Sequence, residues 1–269
     1  MIKLIVTDMD GTFLNDNKGY NQALFDQVKK LTKEQGIIFA PCTGKQTQRV
    51  EEILGEDNQD FYIMGDSAAR IKHQGKYIYQ SLLNKATGLA IIERLKSINE
   101  HQAIIVSTIQ GSFIKSNTLP HIKKRLQRSF SNLTYLPCYT DITDDFIKIT
   151  VYDERGHCFQ TQPQLSEFND KAYIVASEPQ WIDIANYDVH KGTTVSILQK
   201  KLGITHAETM VFGDGLNDVE LMSKGAFSFA MENGFEETKS AANYIIGNNN
   251  EDSVLRTIIQ ILTLQSNNK

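Results

Sequence analysis

The stretch Val6-Thr7-Asp8-Met9-Asp10-Gly11-Thr12 sets two carboxylates two positions apart, directly after an apolar run at residues 2–6. Equal roles for Asp8 and Asp10 are not expected. Three more segments carry polar groups just after a β-rich run: Cys42-Thr43-Gly44-Lys45, Gly65-Asp66-Ser67-Ala68 and Gly213-Asp214-Gly215-Leu216-Asn217-Asp218. Lys191 stands at the head of a helical pattern. If Asp8, Asp10, Asp214 and Asp218 share one crevice, they cannot all stay ionised without a cation. All-oxygen ligands suit Mg²⁺, which keeps some of its waters and works beside phosphate. A Thr-Gly turn opening a helix offers backbone N–H groups to an anion, and a lysine adds a point charge. The inventory reads as Mg²⁺-dependent phosphoryl chemistry.

Other motifs fail on their spacing. An EF-hand loop starting at Asp8 would need glycine where Phe13 stands and glutamate where Gly19 stands. Gly213-Asp214-Gly215 opens like a dinucleotide fingerprint, but Asp218 occupies the third glycine's position. Gly44-Lys45 is followed by Gln46 and lacks the upstream glycine of a phosphate-binding P-loop.

The positioning elements follow from hydrophobic periodicity. Residues 2–6, 37–40 and 61–64 read as strands; Leu24, Phe25, Val28 and Leu31, then Val50, Ile53 and Leu54, read as helices stopped by Gly36 and Gly55. Strand runs apolar on both faces predict a buried parallel sheet in a βαβαβ order. The grammar returns near the C-terminus. A helix carries Val195, Leu198 and Leu202, strands follow at 209–212, 227–230 and 244–246, and a last helix carries Leu255, Ile258, Ile259 and Leu262. Residues 82–185 read differently, with alternating runs such as 146–152 and helical patterns near 87–98 and 118–130. They suggest an α+β module whose sheet is exposed on one face. The expected fold is α/β, a Rossmann-like parallel sheet core with helices on both faces, formed by 1–81 and 186–269 and interrupted by an inserted α+β domain at 82–185. In open α/β sheets ligands bind beyond the carboxyl ends of the strands, where the polar segments lie.

Composition narrows the partners. The 269 residues are 41% hydrophobic and 22% charged, enough to bury a real core, and the net charge of −4 argues against nucleic acid and anionic membranes as partners. No apolar run is long enough to span a bilayer, and no signal-peptide pattern precedes the first strand, so a cytoplasmic location is expected. The three cysteines are scattered and define no disulfide framework. Nothing here reads out an oligomeric state.

Taken together, Asp8-Met9-Asp10-Gly11-Thr12, Thr43-Gly44, Lys191-Gly192, Gly213-Asp214-Gly215-Leu216-Asn217-Asp218, Ala230-Met231-Glu232-Asn233 and Lys239-Ser240-Ala241-Ala242 resemble the haloacid dehalogenase superfamily, specifically its Cof-type, sugar-phosphatase-like branch with a type IIB cap. The resemblance spans nearly the whole chain. It implies a phosphatase of small phosphorylated metabolites in which 82–185 form a cap that closes over the site and selects the leaving group. Asp8 would be the nucleophile, forming an aspartyl-phosphate, and Asp10 the general acid and then base. Mg²⁺ would be held by the Asp8 side chain, the Asp10 carbonyl and Asp214, with Asp218 as ligand or support. Thr43, the Gly44 amide, Asn217 and Lys191 would hold phosphoryl oxygens, with the Met9 and Asp10 amides as further candidates. Two positions depart from the family pattern. Lys45 replaces the usual arginine, keeping the charge of a candidate substrate contact but losing its fork. Asp66-Ser67-Ala68 replaces Asn-Gly-Ala and is expected to add a carboxylate near the site. Phosphoryl transfer to a sugar, as in a mutase, and a catalytically silent phospho-ligand sensor remain alternatives. Substrate choice is expected on the insert, with Lys115, Lys148 and Trp181 as candidates, and Asp183 is either structural or site-facing.

Overall fold

The computed structural model describes residues 1–130 and 132–267. The chain divides into two compact units, one made of Met1–Thr43, Gln59–Met64 and Lys191–Lys269, the other of Gly44–Asn58 and Gly65–His190. The sequence boundaries at 82 and 185 fall inside the second unit, which also takes in the segment after Thr43 and the hairpin after Gly65.

The first unit is built on a five-stranded parallel sheet in the order Tyr244–Ile246, Phe227–Met231, Thr209–Gly213, Leu4–Thr7, Ile38–Pro41. Leu4–Thr7 is fully buried, as a central parallel strand must be. The register pairs Thr7 with Phe212 on one side and with Pro41 on the other. The residues following all three strands therefore emerge at one end of the sheet. The helix Gln22–Gln35 starts on Asn21, whose side chain accepts from the Leu24 amide, and stops at Gly36 in the left-handed conformation. It buries Phe25 and Val28. Phe25 packs against Phe13, Phe39 and Phe61 with ring centroids 5.2–5.9 Å apart, a geometry in which aromatic pairs attract. That cluster anchors the loop after Asp8 through Phe13.

The third expected strand is present but shorter and less paired than the 61–64 reading implied. Its paired residues are Ile63–Gly65, and it is not among the five strands of the sheet. It meets the segment after Ile38–Pro41 through a single parallel bridge, Cys42 to Met64. The physical reason lies just downstream. Asp66, Ser67 and Ala68 all adopt positive φ, which curls the chain into the antiparallel hairpin Arg70–His73 and Lys76–Gln80 before a ladder can extend.

In the second unit a six-stranded sheet runs in the order Ala172–Glu178, Trp181–Asn186, Lys148–Tyr152, Ala103–Thr108, Gly111–Lys115, Leu133–Leu136. Neighbours are antiparallel except the last pair. The helix Lys85–Ile98 packs Ile91, Ile92 and Leu95 with Ile104, Val106, Ile149, Val151, Ile182 and Ile184. The other face is not simply open to water, contrary to expectation. The helix Pro120–Leu126 covers part of it through Ile122 and Leu126, and its polar residues Lys148, Thr150 and Asp183 are buried. That helix is shorter than the 118–130 pattern, because Pro120 sets its start and the chain turns after Leu126. No helix among the described residues is long and apolar enough to cross a membrane.

Candidate active site

Asp8 follows the strand Leu4–Thr7 and stays in register, its amide donating to the Phe212 carbonyl at 3.0 Å. The next residues turn away at once. Phe13 and Leu14 donate back to the carbonyls of Asp8 and Met9. Gly11 makes the turn possible. Its φ is +73°, and a methyl group there would collide with the Asp214 carboxylate. Thr12 Oγ1 donates to Asp214 Oδ1 at 2.5 Å. Across the sheet edge, Gly213 lets Asp218 fold back close to the strand, since a Cβ at 213 would lie 2.5 Å from Asp218 Cγ. Asp218 Oδ2 then accepts from the amides of Asp214 and Gly215 at 3.1 and 3.0 Å.

Lys191 opens the helix Lys191–Leu202 and is 2% exposed. Its ammonium lies 2.5 Å from Asp8 Oδ1 and 2.6 Å from Asp218 Oδ1. Oxygens of Asp8, Asp214 and Asp218 all lie within 4.8 Å of one another, an arrangement that could hold a metal ion. One ammonium does not balance three carboxylates, Asp8 and Asp218 buried and Asp214 half-buried. Burial raises the Asp8 carboxyl, Lys191 pulls it back, and the Asp218 charge raises it again; the balance leaves it at about 7. Asp214 is pushed well above the usual carboxylate range by burial, then by the charges of Asp8 and Asp218, against the Thr12 hydrogen bond. Burial works against the charge on Lys191, but Asp218 and Asp8 outweigh it and hold the ammonium firmly protonated. The cluster is therefore short of positive charge.

The structure thus brings Asp8, Lys191, Asp214 and Asp218 together and treats Asp10 differently. The Asp10 carboxylate is about a third exposed and pairs with Lys18 at 3.0 Å, apart from the three clustered acids. Met9 is fully buried, so only its backbone can meet a ligand. Thr43 is buried just past the strand Ile38–Pro41, and its amide donates to the Met64 carbonyl at 2.9 Å. Asn217 sits in the short turn Leu216–Asp218 with its side chain folded beside Gly215. Gly44 and Lys45 belong to the second unit, where their carbonyls accept from the Lys148 ammonium and the Asp66 amide, both at 2.7 Å. The carboxylate expected from Asp66 is not free. Arg70 takes its Oδ2 with two N–H groups at 3.0 and 2.8 Å, and both residues are buried. Thr12 and Asn233, whose amide donates to the Gly11 carbonyl at 2.8 Å, had no assigned role in the sequence reading. Their signal was only their place in the motifs, Thr12 two residues after Asp10.

The model of the haloacid dehalogenase-like hydrolase family matches residues 5–258. Over 262 residues the chain is 31% identical to the 5-amino-6-(5-phospho-D-ribitylamino)uracil phosphatase of Escherichia coli, covering 97% of this chain and 96% of that one. A solved Streptococcus mutans protein superposes with a TM-score of 0.93 at 26% identity, over 98% of this chain and all of the other. A subclass IIB sugar phosphatase of the same superfamily superposes with a TM-score of 0.81 at 18% identity, over 96% of this chain and 98% of the other, a likeness of fold. Matched over nearly its whole length, this chain belongs to the haloacid dehalogenase-like hydrolases.

Proposed function

We propose that the protein is a Mg²⁺-dependent phosphatase of small phosphorylated metabolites, working through an aspartyl-phosphate on Asp8. The observation that carries this reading is Lys191 clasped between Asp8 and Asp218 with Asp214 beside them. The donor set fits Mg²⁺. It is all oxygen, and the raised carboxyls of Asp8 and Asp214 mark a deficit of positive charge. Asp8, Asp214 and the Asp10 carbonyl would hold the ion. Asp218, whose two oxygens already accept from Lys191 and from two amides, would support them. Bound there, Mg²⁺ would neutralise the carboxylates and the phosphoryl oxygens.

The chain's own residues supply the rest. An Asp8 oxygen attacks phosphorus and the bond to the ester oxygen breaks, while Asp10 gives that oxygen a proton and the alcohol departs. Asp10 then takes a proton from water as its oxygen attacks phosphorus. The bond to Asp8 breaks, inorganic phosphate forms, and both carboxyls return to their starting state. Lys191 lowers the cost of ionising Asp8 for the attack, and with Thr43, Asn217 and the amides of Met9 and Gly44 it holds the phosphoryl oxygens. Lys45 adds a charge for the substrate. The insert at 82–185 is assigned to leaving-group choice, because every residue given a phosphoryl role lies outside it. Identity to a phosphatase of a phosphorylated ribityl compound supports a substrate of that size.

The test is phosphate release from p-nitrophenyl phosphate and a metabolite panel that includes 5-amino-6-(5-phospho-D-ribitylamino)uracil, with and without Mg²⁺. Mass spectrometry of quenched enzyme should find a phosphoryl adduct on Asp8. Turnover that survives Asp8→Asn would remove Asp8 from its role.

A further inference from the structure

Lys148, on the strand Lys148–Tyr152, was a candidate substrate contact by sequence. It is 3% exposed, and its ammonium is fully engaged. It donates to the Gly44 carbonyl at 2.7 Å, to Ser67 Oγ at 3.1 Å and to Asp183 Oδ1 at 3.1 Å. An ammonium has three N–H donors, so none is left over for a ligand. Thr150 Oγ1 donates to the same Asp183 oxygen at 3.2 Å, which holds the counterion in place.

The partners of Lys148 are themselves constrained. Ser67 lies in the run Asp66-Ser67-Ala68 with φ of 56°, 56° and 64°, a conformation that persists only where surrounding bonds impose it. Arg70 grips Asp66 at one end, and the Asp66 amide donates to the Lys45 carbonyl. Gly44 has little space of its own, since a Cβ there would lie 3.3 Å from Asp183 Oδ2. Each residue of the Thr43-Gly44 turn is tied within its own unit. The Thr43 amide is tied to the Met64 carbonyl, and the Gly44 carbonyl is tied to Lys148.

We infer that Lys148 is a positioning residue for the Thr43-Gly44 turn, aiming the Gly44 N–H at the transferring phosphoryl group by holding the Gly44 carbonyl against Ser67 and Asp183. The inference rests on the proposed phosphatase reading. It gives Lys148 a part in the chemistry common to every substrate, not in the choice among them. A displacement of about 1 Å in such a group costs on the order of 10²-fold in rate.

The experiment compares wild type with Lys148→Met, Lys148→Arg and the double variant Lys148→Met/Asp183→Asn. Lys148→Met alone leaves Asp183 buried without its counterion, which threatens the fold. The double variant removes both charges together, and near-UV circular dichroism checks that it is folded. kcat and KM are measured with p-nitrophenyl phosphate and with the best metabolite ester, together with the inhibition constant for inorganic phosphate, all with saturating Mg²⁺. Positioning predicts that kcat/KM of the double variant falls about 10- to 100-fold, by the same factor for both esters. The phosphate inhibition constant should rise, and Lys148→Arg should recover most of the loss. A loss confined to the metabolite ester, with p-nitrophenyl phosphate and phosphate inhibition unchanged, overturns the inference in favour of a leaving-group contact. Unchanged kinetics in the folded double variant overturn it outright. Wild type that turns over no ester overturns the phosphatase reading itself, whereas active wild type beside equally active variants removes only the role of Lys148.

Discussion

Asp8→Asn should make the metal-free protein more stable at pH 8, while it abolishes turnover. In the native fold the Asp8 carboxyl stands at about 7, against an ordinary value of 3.8. A carboxyl raised on folding binds its proton more tightly in the folded state, so stability falls as pH rises between the two values. The penalty is absent below about 3.8, grows through the interval, and is complete above about 7. A displacement of about three pH units at 1.36 kcal/mol each gives a full penalty of about 4 kcal/mol. Asparagine has nearly the shape of the protonated acid and never ionises, and Lys191 keeps its bond to Asp218 at 2.6 Å. Urea denaturation in EDTA at pH 4.5, 6 and 8 measures the difference. The variant should exceed wild type by only about 1 kcal/mol at pH 4.5 and increasingly towards pH 8, by up to about 4 kcal/mol. Saturating Mg²⁺ should shrink or reverse the gap at pH 8, because a cation that binds the folded state favours the ionised acid. A pH-independent difference, or a variant less stable than wild type at pH 8 in EDTA, would refute the charge deficit read from the site.

Three further outcomes follow from separate features. Asp10→Asn should lower kcat by about 10²- to 10⁴-fold and shift stability by less than about 1 kcal/mol, since its pair with Lys18 is a surface one; steady-state kinetics and urea midpoints measure both. Gly11→Ala should destabilise by at least about 1–3 kcal/mol, from the positive φ alone, and should weaken Mg²⁺ binding measured by calorimetry, because the added methyl pushes on Asp214. Iodoacetamide should label Cys138 first in the native protein. Its thiol lies below the ordinary value through bonds to Thr140, whereas burial pushes up the thiols of Cys42 and Cys158. Peptide mapping should find the last two labelled only after denaturation, and native labelling of Cys42 at the rate of Cys138 would contradict its burial beneath the sheet edge.

Much of this protein could be read from its linear order. Apolar runs with turn residues behind them located the central strands, but it is the turn through Gly11, not strand alternation, that separates the buried Asp8 from the more exposed Asp10. Helix stops at Gly36 and Gly55 were local matters of backbone freedom, and the two glycines have φ of +65° and +67°. The third strand does lie parallel beside the second, but its pairing is cut short for a local reason that composition hides. Three consecutive non-glycine residues in the left-handed region follow it, and only their packed surroundings hold them there. What the fold alone decided are contacts between residues far apart in the chain. Lys191 stands 183 positions from the Asp8 it neutralises, Thr12 stands 202 from Asp214, and Lys148 stands 104 from the Gly44 carbonyl. Nothing in the neighbourhood of Asp66 announced that Arg70 would cancel it, or that Lys148 would spend every donor on the protein itself. Local sequence specifies which groups are present and which face of a strand they occupy. Which charges neutralise one another depends on burial and on distances of about 3 Å, and packing sets both.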